Sequence, residues 1–166
     1  MSKIYGFGNA LVDIEIQIDE DQLISIGIPK GSMKHIDLEE KEELLKKYKD
    51  SIKTKNPGGS IANSLFAAES FGISTCFSCF LGDDENGKIF IDSYSDQNKI
   101  SFKFSDNPTG VCLVFITPDG ERTMASNLSA NYQLSKECID ISRLKASEYL
   151  LFDNFSLATD AGSQTV

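Results

Sequence analysis

Apolar and polar residues alternate strictly along VDIEIQID (12–19), so that Ile14, Ile16 and Ile18 would lie on the same side of an extended chain. This period of two predicts a β-strand with one face against the core and the other face in contact with water. Four further segments also predict strands: KIYGFGN (3–9), the buried run STCFSCFLG (74–82), the alternating KISFKF (99–104) and SEYLLFDNF (147–155).

Helical periodicity separates these strands. The segment SMKHIDLEEKEELLKKYKD (32–50) predicts an amphipathic surface helix, because Asp37 and Glu40 have capping-box spacing and leucines recur among charged residues. A second predicted helix follows Gly59 and stops at Gly72. Two more are predicted over DENGKIFIDSYSDQN (84–98) and over roughly 135–143.

The segment TGVCLVFITPDGERTMASN (109–127) predicts a β-hairpin. Two strand-like runs flank Thr117, Pro118, Asp119 and Gly120, with proline and glycine where a type I turn and its exit favour them.

The order of elements predicts one compact α/β unit. Strands separated by helices favour a mainly parallel sheet with helices on both sides, and the alternating segments form a partly exposed β extension. The last predicted strand has neither a following helix nor a partner, so we expect an incomplete sheet with an unpaired edge.

Composition narrows the class of protein. The chain has 166 residues and a formal net charge of −9, which disfavours nucleic acid and anionic membranes as partners. No apolar run approaches the roughly 20 residues of a membrane span, and the first residues lack a signal-peptide pattern. We therefore expect a cytoplasmic protein with no membrane partner.

Four cysteines raise the question of metal or redox chemistry. Cys76 and Cys79 form a CxxC motif within a predicted buried strand, whose alternation directs them to opposite faces. Cys112 and Cys138 stand apart, and His35 is the only histidine. We expect no metal site, because zinc needs several such ligands close together.

The segment NPGGSIANS (56–64) is the strongest candidate for a binding site. Gly58 and Gly59 precede a predicted helix, where a ligand can approach backbone N–H groups. Neither a GxxxxGK[ST] phosphate loop nor a GxGxxG fingerprint matches this segment. Asn63 follows about one turn later with an amide that donates and accepts, so a neutral polar ligand fits as well as an anion. The alternative is a tight turn before a core helix.

Four motifs together carry a family resemblance. GNALVD (8–13), GGSIAN (58–63), GDDENG (82–87) and DGERTM (119–124) have the order and approximate spacing found in ribokinase-like (PfkB) carbohydrate kinases, which the chain resembles. MASNLSAN (124–131) is most similar to the adenosine-kinase branch and nearby bacterial sugar kinases.

The resemblance covers nearly the whole chain but only the N-terminal half of the family's kinase domain. The family signature DTxGAGD is absent. The segment TDAGS (159–163) lacks its second glycine and final aspartate, and we interpret it as a loop.

The resemblance implies a fold and an activity. It predicts a Rossmann-like three-layer α/β/α fold with a small β-sheet lid, the sheet being incomplete in this chain. Residues 1–166 then form the N-terminal part of a PfkB-type kinase domain, with lid segments at about 12–19 and 100–127. The implied activity is ATP-dependent phosphoryl transfer to an alcohol group of a nucleoside or sugar.

The resemblance also implies which residues bind the substrate. Acceptor hydroxyls are expected at one group of residues: Asn9, Asp13, Gly58, Gly59 and Asn63. Cys112 and Met124 correspond to positions lining the base or sugar pocket, and Arg122 to a position near bound substrate. Asn154 and Phe155 follow the last predicted strand, where the carboxyl edge of a sheet commonly meets ligand.

The catalytic groups are expected elsewhere. The family's catalytic aspartate belongs to the absent signature, so we expect it downstream of Val166, with ATP and Mg²⁺ bound mainly by that C-terminal half. We expect the 166-residue chain alone to be inactive. The resemblance allows a homodimer formed through the lid.

Two alternatives to a kinase fragment remain open, a non-catalytic half-domain that binds a sugar or nucleoside and a lid-mediated assembly module. The acceptor stays open among adenosine, ribose, fructose and others.

Overall fold

The computed structural model describes residues 2–156, which form two β-sheets with helices packed against them. The strands are β1 (Ile4–Phe7), β2 (Leu11–Gln17), β3 (Met33–His35), β4 (Ile52–Gly58), β5 (Thr75–Gly82), β6 (Ile100–Ser105), β7 (Gly110–Ile116), β8 (Arg122–Asn127) and β9 (Tyr149–Leu151). The helices are α1 (Glu20–Ile26), α2 (Leu38–Lys47), α3 (Ser60–Ser70), α4 (Glu85–Asp92) and α5 (Ile141–Lys145).

The first sheet, here called the core sheet, has the order β6-β5-β1-β9 and is parallel throughout. On one face, Phe77 of β5 packs with Leu65 of α3 and Phe90 of α4. On the other face, Phe80 packs with Leu134 in a segment of short 3₁₀ turns. Phe77 and Phe80 are an odd number of positions apart, so they face opposite sides of β5 and pack against different layers, which confirms the predicted three-layer α/β architecture.

The second sheet, here called the lid sheet, has the order β3-β8-β7-β2-β4. Val12, Ile14 and Ile16 of β2 are buried against α1 and α2, whereas Asp13 and Glu15 face the opposite way and are half-buried. The alternation predicted for this segment is confirmed. One face of the lid sheet is therefore part of a hydrophobic core, and the other is available to a ligand.

The strands that make up the lid sheet differ from those expected. β6 pairs in parallel with β5 in the core sheet, so within the predicted segment 100–127 the lid sheet begins at Gly110. Two strands that the sequence pattern did not reveal, β3 and β4, form its edges. The three residues of β3 precede the predicted capping residue Asp37, and α2 begins directly after it at Leu38, as the capping pattern predicts.

The predicted hairpin is confirmed. β7 and β8 pair antiparallel, and the Gly120 N–H donates to the Thr117 carbonyl at 2.8 Å across the turn. Gly120 has a φ of 84°, a conformation that glycine adopts without strain.

The helices differ from the predictions in three places. Helix α1 was missed, although Asp19 and Gln22 form a complete capping box at its start. The helix predicted over 84–98 ends at Asp92. The helix predicted over 135–143 is instead a 3₁₀ turn followed by α5, because Asp140 interrupts it and caps α5 by accepting from the Ser142 and Arg143 N–H groups.

The expectation that the last strand lacks a partner is wrong. β9 pairs in parallel with β1. Within residues 2–156 its other edge is unpaired, and Tyr149 and Leu150 are exposed there. None of the helices described for residues 2–156 is sufficiently long and apolar to cross a membrane.

Candidate functional site

A cavity of about 290 Å³ lies between the open face of the lid sheet and the start of α3. It is lined by Asn9, Leu11, Asp13, Met33, His35, Gly59, Ser60, Asn63, Cys112, Val114, Arg122, Met124, Ser126, Leu128 and Phe155. Segments far apart in the sequence thus meet at one surface.

Strand register determines which lid-sheet side chains face the cavity. Asp13 lies opposite Cys112, Cys112 opposite Ser126, and Ser126 opposite His35, forming a row across β2, β7, β8 and β3. A second row runs two residues away along the strands and includes Val114, Met124 and Met33. Because alternate residues of a strand face the same side, both rows face the cavity.

Gly58 and Gly59 bring the start of α3 close to the lid sheet. A Cβ atom at Gly58 would overlap the carboxylate of Asp13, and one at Gly59 would overlap the carbonyl oxygen of Asn9. Gly59 has a φ of 101° and is the N-cap of α3, so no side chain caps the helix in the described structure. The first backbone N–H groups of α3 are consequently near Asn9 and Asp13.

Asn9 occupies the connection between the core sheet and the lid sheet. The fully buried Asn131 side chain accepts a hydrogen bond from the Ala10 N–H and donates to the Ala10 carbonyl, each at 2.9 Å. Asn131 also donates to the Leu128 carbonyl at 2.9 Å. These bonds hold the turn that places Asn9, which is only 9% exposed, beside the cavity.

A second connection between the sheets is held by Asp84 and Thr109. The Thr109 N–H and hydroxyl donate to the two carboxylate oxygens of Asp84 at 2.7 and 2.8 Å, and the Gly87 N–H donates at 2.7 Å. Burial raises the pKa of Asp84, but these hydrogen bonds and the charge of Lys41 outweigh it and leave the pKa below its ordinary value. Asp84 therefore acts as an ionised clamp where the chain enters β7.

The carboxylate of Asp13 is the main charged acceptor on the cavity's lid-sheet face. Burial raises its pKa, the positive charge of Arg122 lowers it, and the negative charge of Glu15 raises it, with a net increase. A partly desolvated carboxylate is a strong hydrogen-bond acceptor for ligand hydroxyl groups.

Cys112 forms an uncharged part of the cavity wall. Burial raises the pKa of its thiol to about 11, and the Ser126 hydroxyl donates to its sulfur at 3.4 Å. A thiol with this pKa stays protonated at neutral pH and is a poor nucleophile. The four cysteines are buried free thiols, and residues 2–156 contain no group of three or more His, Cys, Asp or Glu side chains suited to a metal ion.

Most of the site residues predicted from the sequence meet at this cavity, but two do not line it. Gly58 lies behind Asp13, where its missing side chain makes room for the carboxylate. Asn154 is exposed outside the cavity. Its neighbour Asp153 instead accepts a hydrogen bond from Ser60, at the start of α3.

Sequence reasoning missed seven residues of the lining: Leu11, Met33, His35, Ser60, Val114, Ser126 and Leu128. Alternation with the predicted residues Cys112 and Met124 could have identified Val114 and Ser126. Met33 and His35 lie on a strand too short to produce a recognisable pattern.

Solved structures with a similar fold include three kinases. Adenosine kinase from Sinorhizobium meliloti matches with a TM-score of 0.83 and 26% identity over 98% of this chain and 50% of that chain. A probable sugar kinase from Rhizobium etli CFN 42 matches with a TM-score of 0.79 and 26% identity over 90% and 46%. Adenosine kinase from Anopheles gambiae, solved with a di(adenosine) tetraphosphate, shares the fold with a TM-score of 0.81 and 24% identity over 95% and 50%.

The chain thus spans about half the length of these structures. The model of the pfkB family carbohydrate kinases matches residues 24–165, which is most of the sequence. The family motifs lie at the cavity and at the connections between the two sheets. The chain belongs to the pfkB family of carbohydrate kinases.

Proposed function

We propose that this chain carries the acceptor site and lid of an ATP-dependent phosphotransferase that acts on an alcohol group of a nucleoside or sugar. The observation that supports this best is the convergence of Asn9, Asp13, Asn63 and the start of α3 at one end of the cavity. A polyhydroxylated ring needs this mixture of acceptors and donors.

Each group has a distinct part in acceptor binding. The Asp13 carboxylate accepts hydrogen bonds from adjacent hydroxyls, while the Asn63 amide and the N–H groups at the start of α3 donate to hydroxyl oxygens. Such bonds orient one alcohol of the acceptor for transfer. The lid sheet covers the bound ring and reduces its contact with water.

ATP, when bound, supplies the transferred phosphoryl group, and Mg²⁺ neutralises the phosphate charges. The described residues do not offer a carboxylate cluster suited to the metal. The DTxGAGD signature is also absent from the 166 residues. We therefore assign acceptor binding to this chain, and we propose that the chain alone does not transfer phosphate.

Calorimetric titration of the chain with adenosine, ribose and fructose tests acceptor binding. We expect at least one of them to bind, and Asn63→Ala to weaken that binding about 3- to 10-fold through loss of one hydrogen-bonding side chain. Asn107→Ala, which removes an exposed asparagine amide outside this cavity, is the matched control. Absence of binding to all three by the folded chain would contradict the proposal.

An ATP-dependent phosphorylation assay tests the assignment of chemistry. We expect no turnover by the 166-residue chain, and turnover of the acceptor when the chain is extended by a segment carrying the DTxGAGD signature. Turnover by the chain alone would show that it contains its own catalytic base. Absence of turnover by the folded, extended protein would favour a binding or assembly function.

A further inference from the structure

We propose that His35 is a specificity-determining residue that contacts the end of the acceptor opposite Asp13. The inference rests on the proposed acceptor site and adds to it the part of the ligand beyond the hydroxylated ring.

The row of residues across the lid sheet sets the distance. Asp13, Cys112, Ser126 and His35 occupy successive strands, so Asp13 and His35 are three strand spacings apart, about 14 Å at roughly 4.8 Å per spacing. Both side chains line the same cavity. A monosaccharide held at Asp13 covers little more than one spacing and does not reach His35, whereas an acceptor with a second ring extends towards it.

The surroundings of His35 indicate the chemistry of that second ring. Met33 and Met124 are cross-strand neighbours in the adjacent row, and Leu128 also lines the cavity. Flexible, polarisable methionine side chains pack well against the face of an aromatic ring. An imidazole both donates and accepts hydrogen bonds at the ring's edge. This pairing of an apolar wall with a polar group fits a planar heteroaromatic group attached to a sugar.

His35 is held in place by its strand. The Met124 N–H donates to the Ser32 carbonyl at 2.9 Å, and the Ile36 N–H donates to the Ser126 carbonyl at 3.0 Å, so backbone bonds flank β3. Lys34 alternates to the other face and pairs with Glu40 of α2 at 2.7 Å. His35 itself is exposed at the cavity and available to a ligand.

Titrating the whole chain with adenosine and with ribose tests this role. We expect His35→Ala to weaken adenosine binding about 3- to 10-fold, the usual effect of one hydrogen bond, and to leave ribose binding unchanged. His35→Gln keeps a donor and an acceptor, so it should retain most of the affinity for adenosine. Lys34→Ala, on the opposite face of the same strand, is the control and should bind both ligands like the unaltered chain.

The outcomes separate this inference from the proposed function. If the unaltered chain binds none of adenosine, ribose and fructose, the acceptor site itself is refuted and the role of His35 with it. If the unaltered chain binds adenosine and the His35→Ala variant binds adenosine equally well, only the role of His35 is overturned. The same holds if the variant loses affinity for ribose and for adenosine to the same extent. Thermal unfolding of each variant establishes that it is folded.

Discussion

The side chain of Asn131 forms two hydrogen bonds with the backbone of Ala10, a residue 121 positions earlier in the chain. The contact joins the turn between β1 and β2 to the segment that follows β8. Both segments connect the core sheet with the lid sheet, so one buried amide links these two connections beside Asn9.

Replacing Asn131 with alanine should destabilise the chain by about 2–4 kcal/mol, because buried backbone groups at Ala10 and Leu128 lose their partner. The free energy of unfolding in urea measures the effect. Asn107→Ala, at an exposed position, should change it little. Equal stability of the two variants would show that Asn131 is not a structural link.

Gly59→Ala should destabilise the chain more than Gly27→Ala. Both glycines have positive φ angles, but a Cβ at Gly27 meets open space, whereas one at Gly59 overlaps the Asn9 carbonyl oxygen. We expect a loss of about 1–2 kcal/mol at Gly27 and a loss above about 3 kcal/mol at Gly59, where strain and overlap combine. Urea unfolding of both variants measures the difference, and equal losses would contradict the close packing.

Asp13→Asn should weaken acceptor binding and stabilise the fold. Loss of a charged hydrogen-bond acceptor predicts at least about tenfold weaker binding. The raised pKa of Asp13 means that the folded state disfavours its charge, so at neutral pH a neutral amide removes an unfavourable contribution. Titration calorimetry and urea unfolding at pH 7 measure the two effects.

The control for Asp13 is Glu43→Gln, which makes the same chemical change at an exposed position on α2. It should leave both acceptor binding and stability nearly unchanged. If Asp13→Asn binds acceptor as tightly as this control, Asp13 is not part of the acceptor site.

Asp84 should make stability depend on pH in the acid range. Its folded-state pKa lies below the ordinary value of 3.8, so its ionised form stabilises the folded chain at pH values above that value. This contribution is lost as the pH falls through the lowered pKa. The stability difference between the unaltered chain and Asp84→Asn should therefore shrink as the pH falls below about 4.

Urea unfolding at a series of pH values from neutral into the acid range measures this difference. A constant difference between the two proteins across the series would show that the charge of Asp84 has no part in the clamp on Thr109. Asp84 is the N-cap of α4, and Asp92→Asn, at the exposed last residue of the same helix, serves as the control.

Local sequence patterns were sufficient for several elements and for much of the site. The alternation around Ile14, the turn at Gly120 and the glycine pair before α3 each depend on neighbours in the sequence, and the structure agrees with all three. The motifs also identified Asp13 and Asn63, which line the cavity. Such features are set by backbone conformation and side-chain periodicity within a few residues.

Other features depend on contacts between distant segments. Three residues of β3 are too few to show a period, and they form a strand only because β8 offers a free edge. β6 alternates like a lid strand, yet β5 pairs with it in the core sheet. Thus the sequence by itself determined the family, the main elements and the polar end of the cavity. Only the tertiary structure decided that His35 and Met33 form its other end, because strand pairing brings together residues that no local pattern connects.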